Sequence, residues 1–247
     1  MKKDDKLSSY QAKQDLIQGR KKIATKDNRV AIISAAAALV LALAGQFLYF
    51  NVGPGSVVAE PTETPTEDST TEYSLPSPSV AESRVWQSSL DLNGSALSLE
   101  LDGVNAPQAV ANFVYLAQEG YFDQLNCHRL VTEGIYVLQC GDPNGDGTGG
   151  PGYNFGPIEN APAGDLYEEG FLAMARRGGD ASSMGSQFFI VYQDSVIPSD
   201  EAGGYTVFGK VTSGLEVVKA IAQAGTADGS SDGKPASEVK IGNVSVE

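Results

Sequence analysis

The chemistry open to this chain is narrow, because its 247 residues include one histidine and two cysteines. A single imidazole, His128, excludes any metal site built on two or more histidines. A Cys–His nucleophile would have to pair Cys127 with His128, yet "NCHRLV" reads as a strand, and neighbouring strand side chains point to opposite faces. His128 therefore reads as a hydrogen-bonded structural residue. A second cluster is "GDPNGDGTGGPG" at 141–152. Asp142, Asn144, Asp146 and Gly147 begin like a calcium loop, but Tyr153 stands at the twelfth place, where a bidentate Glu is needed. Gly145, Gly147 and Gly150 have dinucleotide-loop spacing, but "PGYNFGPIENAPAG" follows where a helix should open. The segment reads as a glycine-rich surface loop, and neither a metal nor a cofactor is expected.

The cysteines flank two predicted strands, "NCHRLV" and "IYVLQC", joined by a turn at 132–134. That places Cys127 and Cys140 opposite or nearly opposite each other. A disulfide would close a loop of about fourteen residues, worth roughly 3 kcal/mol in the chain-entropy model. The alternative is two buried free thiols.

Redox context comes from the N-terminal half. Residues 1–29 hold nine Lys/Arg against four Asp, whereas the chain after residue 50 holds eight against twenty-seven Asp/Glu. Between them "VAIISAAAALVLALAGQFLYF", residues 30–50, carries no charge. At about 1.5 Å per residue it spans roughly 30 Å, a bilayer's hydrocarbon thickness. The positive-inside rule keeps the basic tail in the cytoplasm, so a single-pass anchor with the bulk of the chain outside is expected. A cleaved signal is the competing reading, with Ala42-Leu43-Ala44 as its site. Residues 51–83 contain five Pro, six acidic and no basic residues, the composition of an extended, disordered linker. The acidic outer portion, with scattered Lys and Arg, argues against nucleic acid as a partner.

Residues 84–247 form one domain of ordinary size. Alternating runs around Asn93-Gly94 predict a hairpin. Val110, Phe113, Val114 and Ala117 recur at helical spacing, with Gly120 as the stop. Short strands follow at "FLAMA", "QFFIVY" and "YTVFGKV", then a helix at "GLEVVKAIAQAG" and a last strand at "EVKIGNVSVE". Many short strands with two helices imply an all-β, antiparallel barrel.

Four motifs, "HRLV", "QCGDPNGDGTGGPGY", "GSQFFIVY" and "TVFGKV", stand in an order and spacing that resembles the cyclophilins, the peptidyl-prolyl cis-trans isomerases. "NFVYLAQEGYFDQLNCHR" is similar to that family's first helix and the run into its active site. The resemblance covers nearly all of residues 87–247. It implies a closed eight-stranded antiparallel barrel capped by two helices, and proline-containing polypeptides as substrates. By that resemblance Arg129 is the catalytic Arg, and Gln139 orients it and the peptide carbonyl. Gln187 lines the groove, Phe189 floors the proline pocket, and the Ala175 backbone pairs with substrate. Gly147 and Thr148 belong to the glycine loop beside the groove. Tyr136 and Val137 stand where the family has Phe and Met, and Arg176 stands where it has Asn. "DSVIPSDEAGGY" replaces a stretch that commonly carries Trp, Leu and His, so Val196 or Ile197 takes the Trp place and Tyr205 the His place. Two functions are thereby expected to compete: a membrane-tethered foldase for extracytoplasmic proteins, and a catalytically weak module that binds Pro peptides or an assembly partner.

Overall fold

A computed structural model describes residues 72–247. The basic tail at 1–29, the span at 30–50 and most of the 51–83 linker lie outside the described residues. Among those described, no helix is long and apolar enough to cross a membrane.

The folded region begins earlier than residue 84. Tyr73 packs edge-on against Tyr115 at 6.4 Å and Tyr121 at 5.0 Å between ring centroids. A 3-10 turn, Pro78–Ala81, buries Ala81, whose carbonyl accepts the Trp86 indole N–H at 2.9 Å. Pro-rich composition hid these two apolar anchors.

Strands β1 (Val85–Leu92) and β2 (Ser95–Asp102) form the expected hairpin. Asn93 and Gly94 both take left-handed backbone angles, as a two-residue turn of this twist requires. Helix α1 (Pro107–Gln118) starts with Pro at its first position and buries Val110, Phe113 and Val114. Then come β3 (Arg129–Val131), β4 (Val137–Cys140), β5 (Leu166–Tyr167), β6 (Phe171–Met174), β7 (Phe188–Val191), β8 (Ser195–Val196) and β9 (Val207–Ser213). Helix α2 (Leu215–Ala224), β10 (Asp232–Gly233) and β11 (Ile241–Val246) complete the chain.

The architecture is an all-β, strongly curled sheet with two helices, but the strand count and closure differ from expectation. The main sheet has nine strands, ordered β10-β3-β4-β7-β6-β9-β2-β1-β11, and β5 pairs with β8 separately. Its end strands, β10 and β11, do not pair with each other. Where a closed barrel would complete its ladder, the chain before β3 meets the chain before β11 through one bridge, Asn126 to Lys240. Flanking bonds from Cys127 N–H to the Val239 carbonyl and from Ile241 N–H to the Leu125 carbonyl, at 2.8 and 2.9 Å, support it. Beyond that bridge the outer edge of β3 pairs with the two-residue β10 and not with β11, so the sheet stays open along most of the seam.

Alternation along the central strands divides two apolar clusters. In β7, Phe188 and Ile190 join the main core with Phe113, Phe122 and Phe208. Phe189 and Val191 face the other way and join Val131, Val137, Tyr167, Ile197 and Val207. In β4, Leu138 and Cys140 face the main core while Val137 faces the second cluster. All the odd-numbered side chains of β3, β4 and β7 thus share one face, and the candidate site lies on it.

Candidate active site

The β3–β4 register sets Arg129 opposite Gln139, and the β4–β7 register sets Gln139 opposite Phe189. Side-chain hydrogen bonds run across these strands. Arg129 Nη1 donates to Gln139 Oε1 at 3.2 Å, and Gln139 Nε2 donates to Gln187 Oε1 at 2.8 Å. Gln187 Nε2 donates to the carbonyls of Gly147 and Gly149 at 3.0 and 2.9 Å. One continuous chain therefore links the guanidinium to the glycine loop.

That loop is folded around a buried carboxylate. Asp142 is 1% exposed and accepts the backbone N–H groups of Asn144, Asp146, Gly147 and Gly149. A Cβ on Gly149 would run into the Asp142 Oδ1, so glycine is required there. Gly141, at φ 85°, lies so close to the Ser186 carbonyl that any side chain would collide with it. Asp142, weighed in the sequence only as a metal ligand, is instead the internal support of the loop. Among the described residues no group of three or more His, Cys, Asp or Glu could hold a metal ion.

Beside the loop lies a groove of about 650 Å³, lined by Gln139, Gly147, Thr148, Ala175, Arg177 and Gln187 among others. Ala175 donates its N–H to the Gln187 carbonyl at 2.9 Å. Past the two glutamines, Phe189 forms an apolar floor, 6% exposed. Tyr205 packs on it edge-on at 5.6 Å and Tyr167 lies at 6.4 Å. Ile197 turns into this cluster, whereas Val196 is 60% exposed.

Arg176 does not present its charge to the groove. Its side chain is wholly enclosed and acts as a clamp on the 200–205 loop. Nε donates to the Gly204 carbonyl at 2.8 Å, Nη1 and Nη2 grip Asp200 at 3.0 and 2.9 Å, and Nη2 also reaches the Gly203 carbonyl. The guanidinium lies over the Tyr205 ring at 4.7 Å. The hydrogen bonds from Arg176 hold the Asp200 carboxyl well below the usual carboxylate range. Tyr205 is fixed further by Tyr167, whose hydroxyl accepts the Tyr205 N–H at 2.6 Å and donates to its carbonyl at 3.3 Å.

Tyr136 is not brought to the site. Its ring packs against Tyr192 at 5.9 Å, and it lines a separate surface recess with Glu169 and Lys219. The cause is parity: Ile135 and Val137 fall on the site side of the sheet, and Tyr136 between them faces away. His128 also departs from expectation. It is 9% exposed, and neither ring nitrogen has a hydrogen-bond partner in the protein. Burial lowers its pKa, with Arg129 and Lys234 adding to the effect and Asp142 and Asp146 opposing it. Cys127 and Cys140 are joined in a disulfide with Cα atoms 3.9 Å apart.

The residue that sequence reasoning missed most plainly is Asp232. Its carboxylate takes Arg129 Nε and Nη2, both at 2.7 Å. This hydrogen bonding holds the Asp232 carboxyl below its ordinary range and raises the Arg129 pKa. The pair is separated by 103 residues, and no local pattern announces it.

Comparison with known proteins places this geometry. Residues 89–246 match the family model described as cyclophilin type peptidyl-prolyl cis-trans isomerase/CLD. A probable peptidyl-prolyl cis-trans isomerase B of Mycobacterium tuberculosis is 46% identical over 168 residues, 63% of this chain and 53% of the relative. The chain thus spans about half the length of that relative. Peptidyl-prolyl cis-trans isomerase B of Bacillus subtilis is 45% identical over 128 residues, covering 51% of this chain and 83% of its own. Among solved structures, a cyclophilin type peptidyl-prolyl cis-trans isomerase of Cryptosporidium parvum superposes with a TM-score of 0.56 at 29% identity, covering 66% of this chain and 98% of its own. The same parasite protein in the presence of the dipeptide Ala-Pro gives 0.54 at 30% identity, covering 65% and 98%. With the family model matched across the curled sheet and both helices, the chain belongs to the cyclophilin-type peptidyl-prolyl cis-trans isomerases.

Proposed function

We propose that this chain catalyses cis–trans isomerisation of X-Pro peptide bonds, with Arg129 as the catalytic residue. Amide conjugation sets a rotation barrier of about 18–20 kcal/mol. No covalent intermediate is needed to lower it. In the twisted transition state the proline nitrogen regains its lone pair and can accept a hydrogen bond. The guanidinium has five N–H donors. Asp232 and Gln139 engage three, so two remain for substrate. The Phe189, Ile197 and Tyr205 cluster suits a proline ring held still while the preceding chain turns. A bond made only to the pyramidal nitrogen stabilises the transition state over the ground state, which raises kcat.

The observation that carries this reading is the hydrogen-bonded chain from Arg129 through Gln139 and Gln187 along the edge of that apolar floor. The Cryptosporidium relative studied with Ala-Pro agrees with proline peptides as the substrate class. The test is exchange spectroscopy of a Pro-containing peptide with the full-length chain in detergent and its Arg129→Ala variant. Losing one transition-state donor costs about 2.7–4 kcal/mol, roughly a hundred- to a thousandfold in rate. A folded variant as fast as wild type overturns the assignment. A wild type that binds the peptide without accelerating its exchange would favour the second reading, a Pro-peptide-binding module or assembly partner.

The same proposal sets the domain outside the cytoplasm, anchored by residues 30–50, where it would assist folding of extracytoplasmic proteins. The uncharged run, the basic stretch before it and the acidic chain after it support this. Protease added to cells with an opened wall should cut within 51–83 and release the domain, while an N-terminal tag stays protected. A mature protein starting near residue 45 would show a cleaved signal instead.

A further inference from the structure

The segment that carries Asp232 is built with more care than an ordinary surface turn. Asp228 Oδ1 accepts from the Ser230 N–H at 3.0 Å, the Ser230 hydroxyl at 2.6 Å and the Thr226 hydroxyl at 3.3 Å. Ser230 Oγ also lies 2.9 Å from the Asp232 carbonyl and Thr226 Oγ1 is in contact with the Ser230 carbonyl, so each hydroxyl shares its one proton between two acceptors. The turn is stitched to the site strand from outside, since the Thr132 N–H donates to the Ser231 carbonyl at 2.8 Å and β10 pairs with β3 at Asp232–Val131 and Gly233–Leu130. Asp228 is consumed within the turn. Asp232 alone projects its carboxylate across β3 onto the Nε/Nη2 edge of Arg129.

Such a pair, with side chains 42% and 48% exposed, contributes little to stability. Its geometry contributes something else. A carboxylate bound to two nitrogens of a guanidinium fixes the plane of the group as well as its position. Gln139 alone, through one bond at 3.2 Å, would leave that plane free to turn about the bond. With both partners in place, the two remaining N–H groups have one fixed orientation before substrate arrives. We propose that Asp232 is a positioning residue for Arg129, and that the 226–233 segment serves to deliver its carboxylate; this rests on Arg129 being the catalytic residue.

The experiment compares wild type with Asp232→Ala, Asp232→Asn, Arg129→Ala and the double variant Arg129→Ala/Asp232→Ala, all as full-length chain. It measures kcat and KM by exchange spectroscopy of a Pro-containing peptide, and water exchange of the Arg129 Nε–H by NMR. Asp232→Ala should lower kcat roughly three- to tenfold, the scale of one long side chain immobilised during the reaction rather than before it. KM should hold, Asp232→Asn should fall between because it keeps one acceptor, and Arg129 Nε–H exchange should speed up. In the Arg129→Ala background the same change should do nothing further to the rate. Three results overturn the proposal: an Asp232→Ala variant as active as wild type or more so, an Arg129 Nε–H indifferent to Asp232, or an equal loss with and without Arg129, which would mark a merely structural role. An Arg129→Ala variant with full activity would instead refute the catalytic assignment beneath it, so the two failures are distinguishable.

Discussion

Replacing Arg176 with Ala removes an enclosed charge, and the structure gives the expected scale of the damage. The guanidinium has no exposed surface and donates to the carbonyls of Arg177, Gly203 and Gly204 as well as to Asp200. A hydrogen bond from a charged donor contributes about 1.5–3 kcal/mol, and water can replace part of it at the loop surface. We expect a net loss of about 3 kcal/mol for the three carbonyls together, after allowing for that resolvation. For a domain of this size that corresponds to a fall in Tm of roughly 6–12 °C. Function should suffer with it. Tyr205 loses the cation over its ring and loosens against Phe189, so the proline pocket widens and KM should rise more than kcat falls. Arg176→Lys should recover little, because one ammonium cannot span Asp200 and two carbonyls. The pH dependence provides an independent check. The folded Asp200 carboxyl titrates below its unfolded value, so its contribution is present above about pH 4 and lost as pH falls through the folded pKa. Arg176→Ala should therefore flatten the acid limb of the stability curve below about pH 4 and leave the region from about pH 5 to 7 unchanged in shape. The assay is thermal unfolding followed by near-ultraviolet circular dichroism, alongside peptide exchange kinetics. An Ala variant that melts within about 2 °C of wild type, with KM unchanged, would refute the clamp.

His128 gives a pH effect in a different window. Its folded pKa is depressed by burial, so below about pH 6.5 the unfolded chain takes up a proton that the folded one resists. Stability should fall from about pH 7 toward pH 5, and a His128→Leu variant that kept the same slope would exclude this residue as the cause. Removing the disulfide with Cys127→Ala and Cys140→Ala together should cost about 3 kcal/mol. That is roughly 6–12 °C in Tm, and coincident melting of variant and wild type would refute the estimate.

What could be read from the sequence was what repeats locally. "QFFIVY" read as a strand and Asn93-Gly94 marked its hairpin, while Gln187 and Phe189 were assigned only through the family resemblance. The period-two rule was available for "GIYVLQC", and applying it there would have chosen Ile135 over Tyr136. Asp142 sat in plain view beside the glycines, but only the backbone path reveals four N–H groups converging on one carboxylate. Asp232 and Asp200 were not legible at all. Each meets its arginine through tertiary contact, 103 residues away for Asp232 and 24 for Asp200, and nothing in the intervening chain has a period that encodes the meeting. The closed eight-stranded barrel that the resemblance implied was not met for a related reason: pairing at a seam depends on which few residues reach across it.

The sulfur bridge between Cys127 and Cys140 also has a mechanical meaning. Arg129 and Gln139 both lie inside the covalent ring that it closes. Tension entering from either end of the chain passes from one cysteine to the other and bypasses the residues between them. Pulling the chain by its ends therefore cannot draw out the backbone between the two cysteines, which carries the Arg–Gln pair. The hairpin bearing that pair is shielded from force, and it would remain assembled as a template for the rest of the sheet to close upon when the pull is released.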